Sequence, residues 1–266
     1  MRLVVHAGFH KTGTSSVQAM LRKNATLLSP HLRILLKADF DGLAEASRSF
    51  SLRPSEEALT TAGGRAARML RRIDPADPRP VLISSEDLSG TLPGRRGLEG
   101  YDAAPLLLAG LAEQARARFG DALELTFYFS TREAGAWLRS TWWQNLRSTR
   151  LQLSFEDYAA GLATAADMAR VLEEVAAAVA PATVVSERLE ISRDRPEGPL
   201  SPLLDLVALP GEVRARLVTL PPVNAEPDIG LAEVFLALNR SGFSEESLRE
   251  IKKKLRRIAN RDAESG

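Results

Sequence analysis

The chain contains no cysteine, so disulfides, thiolate metal sites and cysteine nucleophiles are excluded. Histidine is scarce: His6, His10 and His31 leave little from which to build a histidine cluster, and no metal site is expected. Lysine is nearly as rare. Only six of the 35 basic residues are lysines, namely Lys11, Lys23, Lys37, Lys252, Lys253 and Lys254. An arginine therefore carries little information by itself, and a lysine at a special position carries more. Neither sign of charge dominates, because 35 basic residues meet 34 acidic ones. No general field favours nucleic acid or an anionic membrane. Long apolar runs are missing too. The opening MRLVVHAG is too short for a signal peptide's core, and no later run nears the roughly 20 apolar residues that cross a bilayer. The expectation is a cytoplasmic protein with no membrane insertion and no nucleic-acid partner.

What is present is an alternation of short apolar runs with longer helical patterns, which predicts an α/β fold with parallel strands joined by helical crossovers. Strands are predicted at 3–7, 32–37, 80–84, 123–130 and, more weakly, 183–186. Helices are predicted from about Thr14, Glu56, Ala103, Glu133, Phe155 and Ala166. From Arg193 onward the pattern reads as helices. The chain is expected to be one domain over 1–266, with an α/β core over 1–190 and a mainly helical extension over 191–266. The terminal basic helix reads as a surface helix whose Leu248, Ile251, Leu255 and Ile258 form a half-buried face. Its lysines and arginines are then a solvated surface rather than a nucleic-acid arm. Loop-rich stretches are expected at 39–55 and 88–102, where they would cover a substrate. The glycine-rich 89–100 is the best candidate for a mobile loop.

The densest local signal is HAGFHKTGTSSVQ, His6 to Gln18. Gly8 and Gly13 have the separation found in phosphate loops of the GxxxxGK[ST] type. Thr14 follows Gly13, however, and the lysine, Lys11, lies inside the loop. A strand precedes the loop and a helix follows it. Main-chain N–H groups near Thr12 to Ser16 would then face an anion at the helix N-terminus. The blander alternative is a strand-to-helix turn with Thr14 or Ser15 as an ordinary N-cap. A second feature is Arg132, just past a predicted strand, with Ser140 eight residues later. Two helical turns lift Ser140 by roughly 10 Å, so an extended arginine and this hydroxyl could share one anion.

Together these features resemble the family of sulfotransferases that use 3′-phosphoadenosine 5′-phosphosulfate (PAPS). Lys11-Thr12-Gly13-Thr14-Ser15 matches the family's 5′-phosphosulfate loop. Arg132 and Ser140 match its 3′-phosphate pair, and HxGxxKTGTSSxQ looks most like the bacterial sulfotransferase-like branch. The likeness is strong over 3–20, moderate over 80–150 and faint beyond. It implies a P-loop-type parallel sheet, PAPS as donor, and 3′-phosphoadenosine 5′-phosphate (PAP) as product. Thr12 to Ser16 would bind the phosphosulfate, and Lys11 would stabilise the leaving group. A small-molecule or glycan acceptor would supply a hydroxyl or amine, whose proton requires a base. Glu86, in SSEDLSG at the end of the third predicted strand, resembles the family's base; His10 is the competitor. The family's C-terminal Arg-Lys-Gly element is missing, and Arg188, Arg193 and Arg195 are its possible substitutes. Trp137, Trp142 and Trp143 are expected in the core, with walling of an acceptor pocket as the alternative. Two other functions remain open from the residues: an ATP-dependent P-loop kinase of small molecules, and a catalytically silent nucleotide-binding protein.

Overall fold

In a computed structural model, residues 1–221 and 230–265 are described. The predicted strands are all present as one parallel sheet: β1 Arg2–His6, β2 Arg33–Leu36, β3 Val81–Ser84, β4 Glu124–Thr131 and β5 Thr183–Arg188, in the order β2-β3-β1-β4-β5. The longer helices are α1 Thr14–Lys23, α2 Leu43–Leu52, α3 Glu56–Leu70, α4 Ala104–Phe119, α5 Ala134–Ser148, α6 Met168–Val179, α7 Leu231–Arg240 and α8 Glu245–Ser265. In the stretch expected to form the extension over 191–266, residues 222–229 and 266 lie outside the described residues.

Strand periodicity divides the core in two. Leu3 and Val5 of β1, Val81 and Ile83 of β3, and Phe127 and Phe129 of β4 face a layer that includes α2 to α7. Val4, Leu82 and Tyr128 alternate with them and face α1 and the segment 200–213. A sheet covered on both faces needs strands apolar at nearly every position, which is why these runs were readable. The three tryptophans are buried core residues, as expected, and Trp143 stacks on Phe235 at 5.3 Å.

Three expectations need correction. Residues 43–52, expected within a loop-rich stretch, form helix α2, which buries Leu43, Ala44, Ser47, Phe50 and Ser51. Its small serines pack where larger apolar residues would have revealed the period. In the glycine-rich loop, residues 89–93 are buried and pinned: Ser89 donates to the Ala7 carbonyl at 3.0 Å, and Thr91 N–H donates to Ser51 Oγ at 2.9 Å. On α8 the inward face runs through Leu248, Lys252, Leu255 and Ala259, while Ile258 is exposed. Lys252 takes an inward place because its stem is apolar and its ammonium reaches the Leu146 and Thr149 carbonyls at the end of α5, at 2.7 and 2.8 Å. Among the described residues no helix is long and apolar enough to cross a membrane.

Candidate functional site

From β1 the chain passes to β2 and β3 on one side of the sheet, and then to β4 and β5 on the other. The crevice at such a switch point, beyond the carboxyl ends of the strands, is where open α/β sheets hold ligands. Here it is a cleft of about 920 Å³, lined among others by Lys11, Gly13, Thr14, Ser15, Ser16, Glu86, Arg132 and Ser140. The fold therefore brings eight of the nine sequence-derived site residues to one cleft. Thr12 differs. Its side chain is fully buried, and its hydroxyl donates to the Phe9 carbonyl at 2.6 Å.

The loop between β1 and α1 is held by its carbonyls. Ser89 donates to the Ala7 carbonyl and Trp137 Nε1 to that of His10, at 3.0 and 2.9 Å. Arg132 Nη1 donates to the Lys11 carbonyl at 3.1 Å, and Ser130 Oγ to that of Thr12 at 2.6 Å. In a trans peptide the following N–H points opposite the carbonyl. Tying the Lys11 and Thr12 carbonyls to the strand β4 side therefore turns the Thr12 and Gly13 N–H groups the other way. Lys11 and Gly13 both sit at positive φ, 67° and 99°, and such alternation curls main-chain N–H groups into an anion-binding concavity.

The start of α1 is open. Its N-cap is Gly13, with no side-chain cap and no acidic residue in the first turn. The ordinary N-cap considered from sequence is not what forms. By contrast, α3 is capped by Ser55, α5 by Glu133 and α6 by Asp167. Glycine is needed at 13 for its backbone and for space: a Cβ would come 2.9 Å from Leu189 Cδ1 and 3.4 Å from Pro199 Cβ. Thr14 Oγ1 is buried and has no hydrogen-bond partner among the described residues, although Thr14 lines the cleft. An orphaned hydroxyl at an uncapped helix start suits an anion acceptor.

Past β3, Ser85 caps the short turn Glu86–Ser89 by accepting from Asp87 N–H at 3.2 Å. Glu86 accepts from Gln18 Nε2 at 3.2 Å and forms no ion pair among the described residues. Asp87 is the opposite case. Lys37 Nζ and Arg48 Nη1 lie 2.7 and 3.1 Å from it, and His10 Nε2 lies 3.8 Å away. Burial by itself would raise the Asp87 pKa, but the His10, Lys37 and Arg48 contacts outweigh burial and hold the carboxyl well below its usual range. His10 is fixed further by Tyr101, whose hydroxyl lies 3.2 Å from Nδ1 and accepts from the His10 N–H at 3.0 Å.

Arg193 and Arg195 line the cleft, and Arg188 is not among its lining residues. Arg195 also pairs with Glu187 at 3.1 Å and with Asp205. Sequence reasoning missed Gln18, Lys37, Arg48, Asp87 as an ion-pair hub, Arg95 and Arg147. Lys37 had a signal, being one of six lysines and at the end of a strand; the arginines had none. Comparison of the chain with protein-family models, curated proteins and solved structures gave no match.

Proposed function

We propose that the protein is a PAPS-dependent sulfotransferase with a P-loop-type core and a helical C-terminal third. The observation that carries this reading is the loop held by its carbonyls, with N–H groups of Thr12 and Gly13 turned away from those anchors and an uncapped α1 behind them. The strand order β2-β3-β1-β4-β5, with this loop after the central strand, supports it. Gly13 to Ser16 receive the 5′ phosphosulfate, with Thr12 contributing through its main chain. Lys11 neutralises the bridging oxygen as the S–O bond to the 5′ phosphate breaks. Arg132 and Ser140 take the 3′ phosphate. Supporting this, Arg132 lines the cleft half-buried and its Nη1 already bonds the loop.

Glu86 accepts the proton that the acceptor loses as its oxygen or nitrogen bonds to sulfur, and PAP departs. Asp87 is unsuited to this because three cationic or potentially cationic partners stabilise its ionised form. Among the described residues Glu86 has only Gln18 to orient it. His10, beside Lys11 and held by Tyr101, orients the loop and is the alternative base. The deciding experiment is calorimetric titration with PAP, 5′-AMP and magnesium-ATP. PAP is expected to bind at least tenfold more tightly than 5′-AMP, with that advantage lost in Arg132→Ala. Preference for magnesium-ATP would replace this reading with a kinase. PAP binding without release of PAP from PAPS in the presence of any acceptor would favour a silent nucleotide-binding protein.

A further inference from the structure

Beyond Ser140, helix α5 continues to line the cleft with Gln144 and Arg147, a stripe at i, i+4 and i+7. Seven residues place Arg147 about 10 Å along the helix from Ser140, well past the proposed 3′-phosphate position. Opposite it, the pinned loop after β3 brings Arg95 to the same cleft. Both guanidinium groups are half-buried, and both bond only neutral acceptors among the described residues. Arg95 Nε donates to Asn145 Oδ1 at 2.8 Å and its Nη2 to Ser148 Oγ at 2.9 Å. Arg147 Nε donates to Gln144 Oε1 at 2.9 Å.

Some other arginines of intermediate exposure meet carboxylates, whereas Arg65, Arg116 and Arg118 bond single main-chain carbonyls away from this cleft. Arg79 meets Asp77 at 2.6 Å, Arg48 meets Asp87 at 3.1 Å, and Arg214 meets Glu197 at 2.7 Å. Two desolvated guanidinium groups left beside one another without a counter-charge are costly unless a ligand supplies it. Burial lowers the pKa of each, and the charges of Arg256 and then Arg95 add to the effect on Arg147.

We infer that Arg95 and Arg147 form an oxyanion subsite for the acceptor, so the sulfotransferase acts on a hydroxyl or amine compound that also carries a carboxylate or sulfate ester. This rests on the proposed donor reading for its chemistry, but the subsite can be tested apart from it. The guanidinium fork matches either oxyanion in a bidentate manner, which a lysine at these places would not.

The test is calorimetry, with and without saturating PAP, on matched sets of ligands. Each set holds a hydroxylated carboxylic acid, its neutral methyl ester, and the corresponding sulfate ester. The scaffolds are a phenol, a glucuronate disaccharide and a steroid. At least one acid or sulfate ester is expected to bind ten or more times more tightly than its neutral counterpart. In Arg147→Gln that preference falls at least tenfold, while PAP affinity and thermal stability stay unchanged. Among the described residues Arg147 hydrogen-bonds only Gln144 on its own helix, so the variant is expected to fold, and Arg147→Lys restores part of the preference. Preference for the carboxylate over the sulfate ester, or the reverse, identifies the natural group. Equal binding of charged and neutral members on every scaffold overturns the inference, as does a preference that survives in Arg147→Gln. Failure of PAP to bind overturns the donor reading alone, because an acid preference lost in Arg147→Gln would still be read on the unloaded protein.

Discussion

Lys11 has a left-handed backbone, φ 67°, without being glycine. A non-glycine residue in that region costs on the order of 1–3 kcal/mol and persists where its surroundings hold it. Here the surroundings are Arg132 on its own carbonyl, Trp137 on the carbonyl before it and Ser130 on the one after. Such a position favours glycine for stability, so the lysine is retained against a backbone preference. Lys11→Ala is expected to leave the fold intact and to lower PAP release from PAPS by about 10²–10³, the loss typical of removing one charge-stabilising group. Lys11→Gly is expected to lose the same activity while unfolding at a higher temperature. Normal PAP release by either variant would remove Lys11 from the chemistry.

At the scale of elements, the cleft depends on how helices are ended. Helix α1 starts without a side-chain cap, the open end that the proposed donor loop would use, whereas α5 is closed at both ends. Glu133 accepts from Gly135 N–H at 2.8 Å and Ala136 N–H at 2.6 Å at its start. At its finish the ammonium of Lys252 on α8 meets its last carbonyls. This fixes the helix that carries Ser140, Gln144 and Arg147. Lys252→Met keeps the apolar stem and removes the charged donor. It is expected to cost about 2 kcal/mol, the scale of a lost charge-assisted hydrogen bond, measurable by urea denaturation. An unchanged midpoint would mean that α8 docks through its apolar residues, Leu248, Leu255 and Ala259, without help from the ammonium.

Across the whole molecule, the sheet interior carries one titratable group that opposes acid. His6, at the end of β1, is fully buried, with Nδ1 2.9 Å from Ser84 Oγ on the neighbouring strand and Nε2 without a partner among the described residues. Gly8 lies against that ring, since a Cβ there would come 2.9 Å from Nε2. Burial lowers the His6 pKa from 6.5 to about 4. The unfolded chain therefore binds the proton first as pH falls. Stability is full above the unfolded value and declines between about pH 6.5 and 4, by up to about 3 kcal/mol. Asp87 acts lower, its contribution being lost only below the ordinary carboxylate range. Denaturation at pH 7 and pH 4.5 is expected to show most of the His6 loss, and His6→Gln should flatten the difference. An equal slope in the variant would assign the acid sensitivity elsewhere.

The five strands and the loop between β1 and α1 were legible in the sequence. Doubly covered strands must be apolar at almost every position, and a loop of this kind needs glycine where no Cβ fits. Gly13 showed itself for that local reason, and Lys11 as a rare lysine lying inside the loop. Arg132 and Ser140 were legible as a spacing on one strand and helix. Other features were decided by contacts distant in sequence. Asp87 became an ion-pair hub only when β2 and α2 brought Lys37 and Arg48 beside it. Helix α2 was hidden because serines fill its inward face, and Ala259 displaced Ile258 because Lys252 had to reach the end of α5. Arg95 and Arg147 look like any other arginines in a chain that uses arginine for most of its positive charge. What sets them apart is that two half-buried guanidinium groups bonded to neutral acceptors line one cleft, and only packing decides which charges are brought together.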